Sequence, residues 1–171
     1  MTSHTKQATM LSLAAFVAIT VGACGGSDES ETTTEKEPAL DAAAFKDCIF
    51  SGSIDLGIYE EIKDSDPELA DAAPEAEFFE AGKGDDGIAA FYVFDDAAAA
   101  DTFSTEFEPT LAAFTEDLTK GAGVDPVTPA VEIQDSVVLG LIPFDDAKKA
   151  ELAEEVLADV STCTEEQSGT G

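Results

Sequence analysis

The side chains with chemical reach in this 171-residue chain are three cysteines and a large surplus of carboxylates. Cys48 lies on an apolar stripe with Leu40, Ala44, Phe45 and Ile49, and Cys163 lies on another with Leu152, Val156 and Val160, both at helical spacing. Thiols placed this way can be oxidised to a disulfide that packs a first helix against a last one. Closing so long a loop stabilises a fold by about 4–5 kcal/mol in the chain-entropy account. No C-x-x-C is present, which removes a redox-active dithiol in its usual form. Among the carboxylates, Asp85 and Asp86 in the run Lys83-Gly84-Asp85-Asp86-Gly87 are weak candidates for Ca²⁺, which favours oxygen ligands. They lack the D-x-[DN]-x-[DN]-G spacing and a downstream bidentate glutamate, and Asp64-Ser65-Asp66 lacks the glycine as well. A solvated turn and a helix cap account for these two segments, and no metal site is expected.

The absent residue types constrain chemistry further. His4 is the only histidine, and there is no arginine and no tryptophan. Beyond His4, a Ser-His-Asp or Cys-His nucleophile system cannot be built in its usual form, nor can a bidentate guanidinium clamp for phosphate. The chain contains no GxxxxGK[ST], GxGxxG or GxSxG. Paired carboxylates could act as acid and base in a hydrolase, but so many acids make their spacing uninformative. The expectation is a non-catalytic binding or interaction domain without a cofactor. A low-affinity Ca²⁺ binder is the first alternative and a carboxylate-based hydrolase the second.

A third cysteine has a different setting. Residues 10–21 form an uncharged apolar run behind a short start containing Lys6, and Val21-Gly22-Ala23-Cys24 follows directly. This segment resembles the signal sequence and lipobox of bacterial lipoproteins. The resemblance implies cleavage before Cys24, a thioether-linked diacylglycerol on its sulfur, and often a further acyl chain, such as palmitate, on its amine. Residues 1–23 are then a signal peptide, and the apolar run is too short to cross a bilayer core of about 20 residues. Two or more acyl chains give stable membrane anchoring where one does not. The implied location is the extracytoplasmic face of the cell membrane, a compartment that permits disulfides. Cleavage would leave 37 acids against seven lysines. That field disfavours nucleic acid and anionic lipid as partners and favours a cationic or protein partner in the envelope, or simply a solvated acidic coat.

The elements that must position these residues follow from periodicity and punctuation. Residues 24–38 have almost no apolar side chain and read as a lipid-anchored flexible linker spanning about 20 Å, with Thr32, Thr33 and Thr34 open to glycosylation. A single domain is expected over residues 39–163 and a disordered tail over 164–171. The first helix is expected over 41–50 with Asp41 as N-cap, broken by Ser51-Gly52-Ser53, with short helices at 54–62 and 67–73. Strands are expected at 75–81 and 88–94, joined by the turn residues 82–87, and the apolar residues on both faces of 88–94 mark a central strand. Asp95 or Asp96 should cap a helix with the stripe Phe103, Phe107, Leu111, Phe114 and Leu118, in which Pro109 kinks the helix or starts a new segment. Residues 131–133 and 136–142 read as strand, and Asp145 or Asp146 caps a last helix to Cys163. The order predicts an α+β fold: a small antiparallel or mixed sheet with helices packed on one face, first and last helix joined by a disulfide. In that pattern the domain resembles small exported α+β proteins of unknown function, a likeness that carries no activity with it.

Overall fold

A computed structural model describes residues 39–51 and 59–169, all within one compact unit. The segments expected as signal peptide and linker, with Cys24, Thr32, Thr33 and Thr34, lie outside the described residues, as do Gly52-Ser53, residues 54–58, Thr170 and Gly171.

Five antiparallel strands form the sheet: β1 (Tyr59–Glu61), β2 (Glu77–Lys83), β3 (Gly87–Val93), β4 (Ala130–Gln134) and β5 (Val137–Pro143). Their order is β1-β2-β3-β5-β4, so the two longest pairings flank β3 at the centre. Four α-helices accompany them: α1 (Ala42–Phe50), α2 (Pro67–Ala70), α3 (Ala97–Ala122) and α4 (Lys149–Ser168). The α+β class, the antiparallel sheet and the bridge between first and last helices agree with the sequence.

Side chains alternate across a strand, so a strand apolar at both parities needs a cover on both faces. Ala89, Phe91 and Val93 of β3 join Val137, Leu139 and Leu141 of β5 in a core closed by Phe45 and Ile49 of α1 and by Leu152, Val156 and Val160 of α4. Ala90 and Tyr92 join Val138 and Ile142 in a second core, closed by Leu69 of α2 and by Phe103, Phe107 and Leu111 of α3. The helices therefore pack on both faces, not one, and the domain has three layers. Cross-strand aromatic pairs bind β2 to β3: Phe79 stacks on Phe91 at 4.6 Å and Phe78 meets Tyr92 at 4.9 Å between ring centroids.

Local chemistry sets the ends. The Asp41 carboxylate accepts from the amides of Ala43 and Ala44 and starts α1, and Asp66 and Asp96 do the same for α2 and α3. Asp145 caps a single 3₁₀ turn, Asp146–Lys148, that leads into α4. Pro109 sits inside a continuous α3, on its exposed side, where the carbonyl it leaves without an amide partner can face water. Close approach fixes one glycine: a Cβ on Gly140 would lie 2.9 Å from the Phe107 ring, so α3 seats directly on β5 there.

Four further expectations change. Tyr59–Glu61, expected within a short helix, pairs with Lys83, Gly82 and Ala81 as the edge strand β1, because backbone pairing outweighs local propensity in so short a piece. Gly82 and Lys83, expected in the turn, belong to β2, which leaves Gly84, Asp85 and Asp86 as the turn. The buried stripe of α3 runs through Thr115 and Thr119, leaving Phe114 half-buried and Leu118 41% exposed. Both threonine hydroxyls donate to carbonyls four residues earlier, at 2.8 and 3.0 Å, which removes the cost of burying them. Residues 164–168 are not a frayed tail: α4 continues to Ser168, and Thr164 is buried.

Candidate functional site

Antiparallel packing of α1 on α4 brings together the two thiols that the sequence singles out. Cys48 and Cys163 are bonded, with Cα atoms 5.8 Å apart, across 115 residues of chain. Cys163 is fully buried against Val160, while Cys48 is half-buried on the outer side. One helical turn beyond the bridge, the side-chain amide of Gln167 accepts from the Asp41 amide at 2.9 Å and donates to the Asp41 carbonyl at 3.3 Å. The start of α1 and the end of α4 are thus held covalently and by hydrogen bonds at one corner. The lipid-bearing residue expected from the sequence, Cys24, lies outside the described residues.

Asp85 and Asp86 are in the β2–β3 turn, where no third ligand joins them; among the described residues no group of three His, Cys, Asp or Glu side chains could hold a metal ion. Asp86 instead closes the turn. Its amide donates to the Lys83 carbonyl at 3.0 Å, its carbonyl accepts from the Phe144 amide at 2.9 Å, and its carboxylate lies 3.6 Å from Lys148 Nζ. Asp66, of the Asp64-Ser65-Asp66 segment, serves as the cap of α2.

The densest cluster of ionisable groups is one that the sequence reading misses. On the face shared by α1 and α4, the Lys83 ammonium sits 2.9 Å from Asp159 Oδ2, 3.8 Å from Glu155 Oε2 and 4.5 Å from the centroid of the Tyr59 ring. The Tyr59 hydroxyl donates to the same Asp159 oxygen at 2.7 Å. Lys83 has only 8% of its side chain exposed, and Asp159 only 14%. Burial holds the Tyr59 phenol well above its ordinary range, reinforced by the hydrogen bond to Asp159 and by the charges of Asp159 and Glu155. The group therefore ties β1, β2 and α4 through one desolvated cation. Alternation is the available signal: Phe79, Ala81 and Lys83 share a parity, so a strand reaching Lys83 points its ammonium into the core side.

The opposite face holds a second buried acid, Glu80, 5% exposed. Its carboxylate accepts from the Asp66 amide at 3.1 Å, and its carbonyl accepts from the Ile62 amide at 3.1 Å. Burial raises its pKa, opposed by the Asp66 amide and the Ser65 hydroxyl and reinforced by the Asp66 charge. Nearby, the fully buried Tyr92 hydroxyl donates to the Leu69 carbonyl at 2.8 Å. Burial, and secondarily the Glu80 charge, holds this phenol above its ordinary range too. Glu80 and Tyr92 thus pin the β1–α2 connection and α2 to the sheet. Both clusters are saturated by their own neighbours, and each joins elements of the fold together.

No protein-family model matches the chain, and neither a curated protein nor a solved structure does.

Proposed function

We propose that this chain is an exported lipoprotein, anchored to the cell membrane through lipid on Cys24, that presents an acidic α+β domain to a partner outside the cytoplasm. The observation that carries the reading is the apolar run ending in Val21-Gly22-Ala23-Cys24. The Cys48–Cys163 bridge supports it, since disulfides persist in oxidising compartments. The binding role is supported by composition: no arginine at all and no histidine beyond His4 leave few of the usual catalytic groups. Mass spectrometry of the first peptide of the exported protein tests the anchor. The expected product begins at Cys24 and carries diacylglycerol; a bare thiol there overturns the reading. Cys24→Ala should release the protein from the membrane or stall its processing, and unchanged retention would contradict the anchor.

A further inference from the structure

Strand β4 pairs on one side only, with β5, and no strand of the described residues lies beyond it. Helices α3 and α4 lie against it. Its outer margin is therefore a line of main-chain N–H and C=O groups, a template onto which another extended chain can add. The side chains along that margin alternate. Val131 packs toward the α3 core and Ile133 shares its parity, while Ala130 packs toward the α4 core and Glu132 shares that parity.

The chain that leads into and out of β4 carries apolar side chains in the open. The exposed large apolar side chains among the described residues are Leu118, Val124, Ile133 and Phe144. Leu118 and Val124 lie at the end of α3 and just past it, Ile133 lies on β4, and Phe144 directly follows β5. Over residues 118–144 the only acids are Asp125, Glu132 and Asp135, although the chain carries 37. Val137–Pro143 within that stretch are the buried strand β5, and Glu132 is the acid on β4 itself.

A second copy fits this edge poorly. Pairing two β4 strands about a two-fold axis at their centre would set Glu132 against Glu132, and like charges directly opposite are destabilising. Each copy also brings a formal charge of −29 for the whole sequence. We propose that the outer edge of β4 takes an extended, basic segment of a partner protein as a sixth strand. Its main chain pairs with residues 130–134, its apolar side chains lie beside Val131 and Ile133, and a lysine or arginine at the other parity stands beside Glu132. The acidic field of the domain draws such a segment in, and the apolar side chains and main-chain bonds hold it. The proposal rests on the reading of the domain as a binding module and supplies its partner class.

The test uses the full chain in detergent at physiological salt. The probe is a fluorescent decapeptide alternating lysine with valine, followed by anisotropy. Saturable one-to-one binding is expected. N-methylation of alternate peptide amides, which leaves charge intact and blocks strand pairing, should weaken it at least about tenfold, a loss of roughly 1.4 kcal/mol. Glu132→Lys should weaken it as much, whereas Asp47→Lys on α1, which packs beside the opposite edge strand β1, should change it less than about twofold. Equal binding of the N-methylated peptide, equal effects of the two charge reversals, or no saturable binding would each overturn the proposal. So would a β4-dependent dimer in the absence of peptide. A chain acylated at Cys24 that ignores the peptide loses only the edge proposal, and an unacylated chain that binds it loses only the anchor.

Discussion

Two tyrosines and no tryptophan make alkaline titration a direct view of both buried clusters. The Tyr59 hydroxyl donates a hydrogen bond to Asp159, and the Tyr92 hydroxyl donates one to the Leu69 carbonyl. Both phenols are held above their ordinary value of 10.0 in the fold. The native state therefore keeps two protons that the unfolded chain loses. Their contribution to stability is complete below about pH 10 and drains as the pH climbs toward the folded values. Each phenol costs about 1.4 kcal/mol per pH unit above 10, so the pair costs about 2.7 kcal/mol per unit and about 5 kcal/mol by pH 12. That is comparable with the whole stability of a typical domain, about 5–15 kcal/mol. The expected result is that near-ultraviolet phenolate absorbance stays low past pH 10 and then rises together with loss of far-ultraviolet circular dichroism. Lysine deprotonation adds self-repulsion in the same range, so the decisive comparison is internal. Tyr59→Phe should roughly halve the phenolic part of the slope of unfolding free energy against pH, measured by urea titration at several alkaline values. Two phenolates appearing near pH 10 in a protein with native circular dichroism would refute the buried geometry.

Other outcomes follow from the same contacts. Lys83→Met should cost about 3–5 kcal/mol in urea unfolding, because Asp159 is left desolvated without its cation. Lys83→Met with Asp159→Asn should recover more than half of that loss, and additive losses would refute the coupling. Glu80→Gln should flatten one limb of the pH–stability profile. With its folded pKa raised by burial, Glu80 contributes fully below about 4.5 and its contribution is lost as pH rises through the folded value, so the variant's advantage should grow from pH 4.5 to 7. Parallel profiles for variant and parent would count against it. Gly140→Ala should cost about 1–3 kcal/mol through the clash with Phe107. A variant as stable as the parent would show that α3 does not seat on β5 as described.

Legibility in the sequence tracks how strongly each segment repeats. The stripes Phe45/Ile49 and Leu152/Val156/Val160/Cys163 identify α1, α4 and their bridge directly, because both helices bury one narrow face. The hairpin β2–β3 is equally plain. The second helical layer is missed: Ile88 to Phe94 are apolar at both parities, which marks a central strand, but helices on one face alone would leave Tyr92 and Phe94 uncovered. Thr115 and Thr119 conceal the true stripe of α3 because their hydroxyls bond back to their own helix, which no hydropathy pattern registers. Lys83 looks like a turn residue because glycines flank it, and its burial depends on Asp159 and Glu155, more than 70 residues away. Residues 164–168 look frayed because they are polar, yet Gln167 is tied to Asp41 across 126 positions.

That last tie has a practical corollary for protein engineering. With Asp41 and Gln167 in hydrogen-bonding contact, the natural ends of the folded body are near enough to be spliced by a short glycine-rich segment. Fresh ends could then be opened at the two-residue turn Asp135-Ser136, where no core side chain would be disturbed. Such a circular permutant would free the margin of β4 from its neighbouring connection while the Cys48–Cys163 bridge still staples the re-ordered polypeptide.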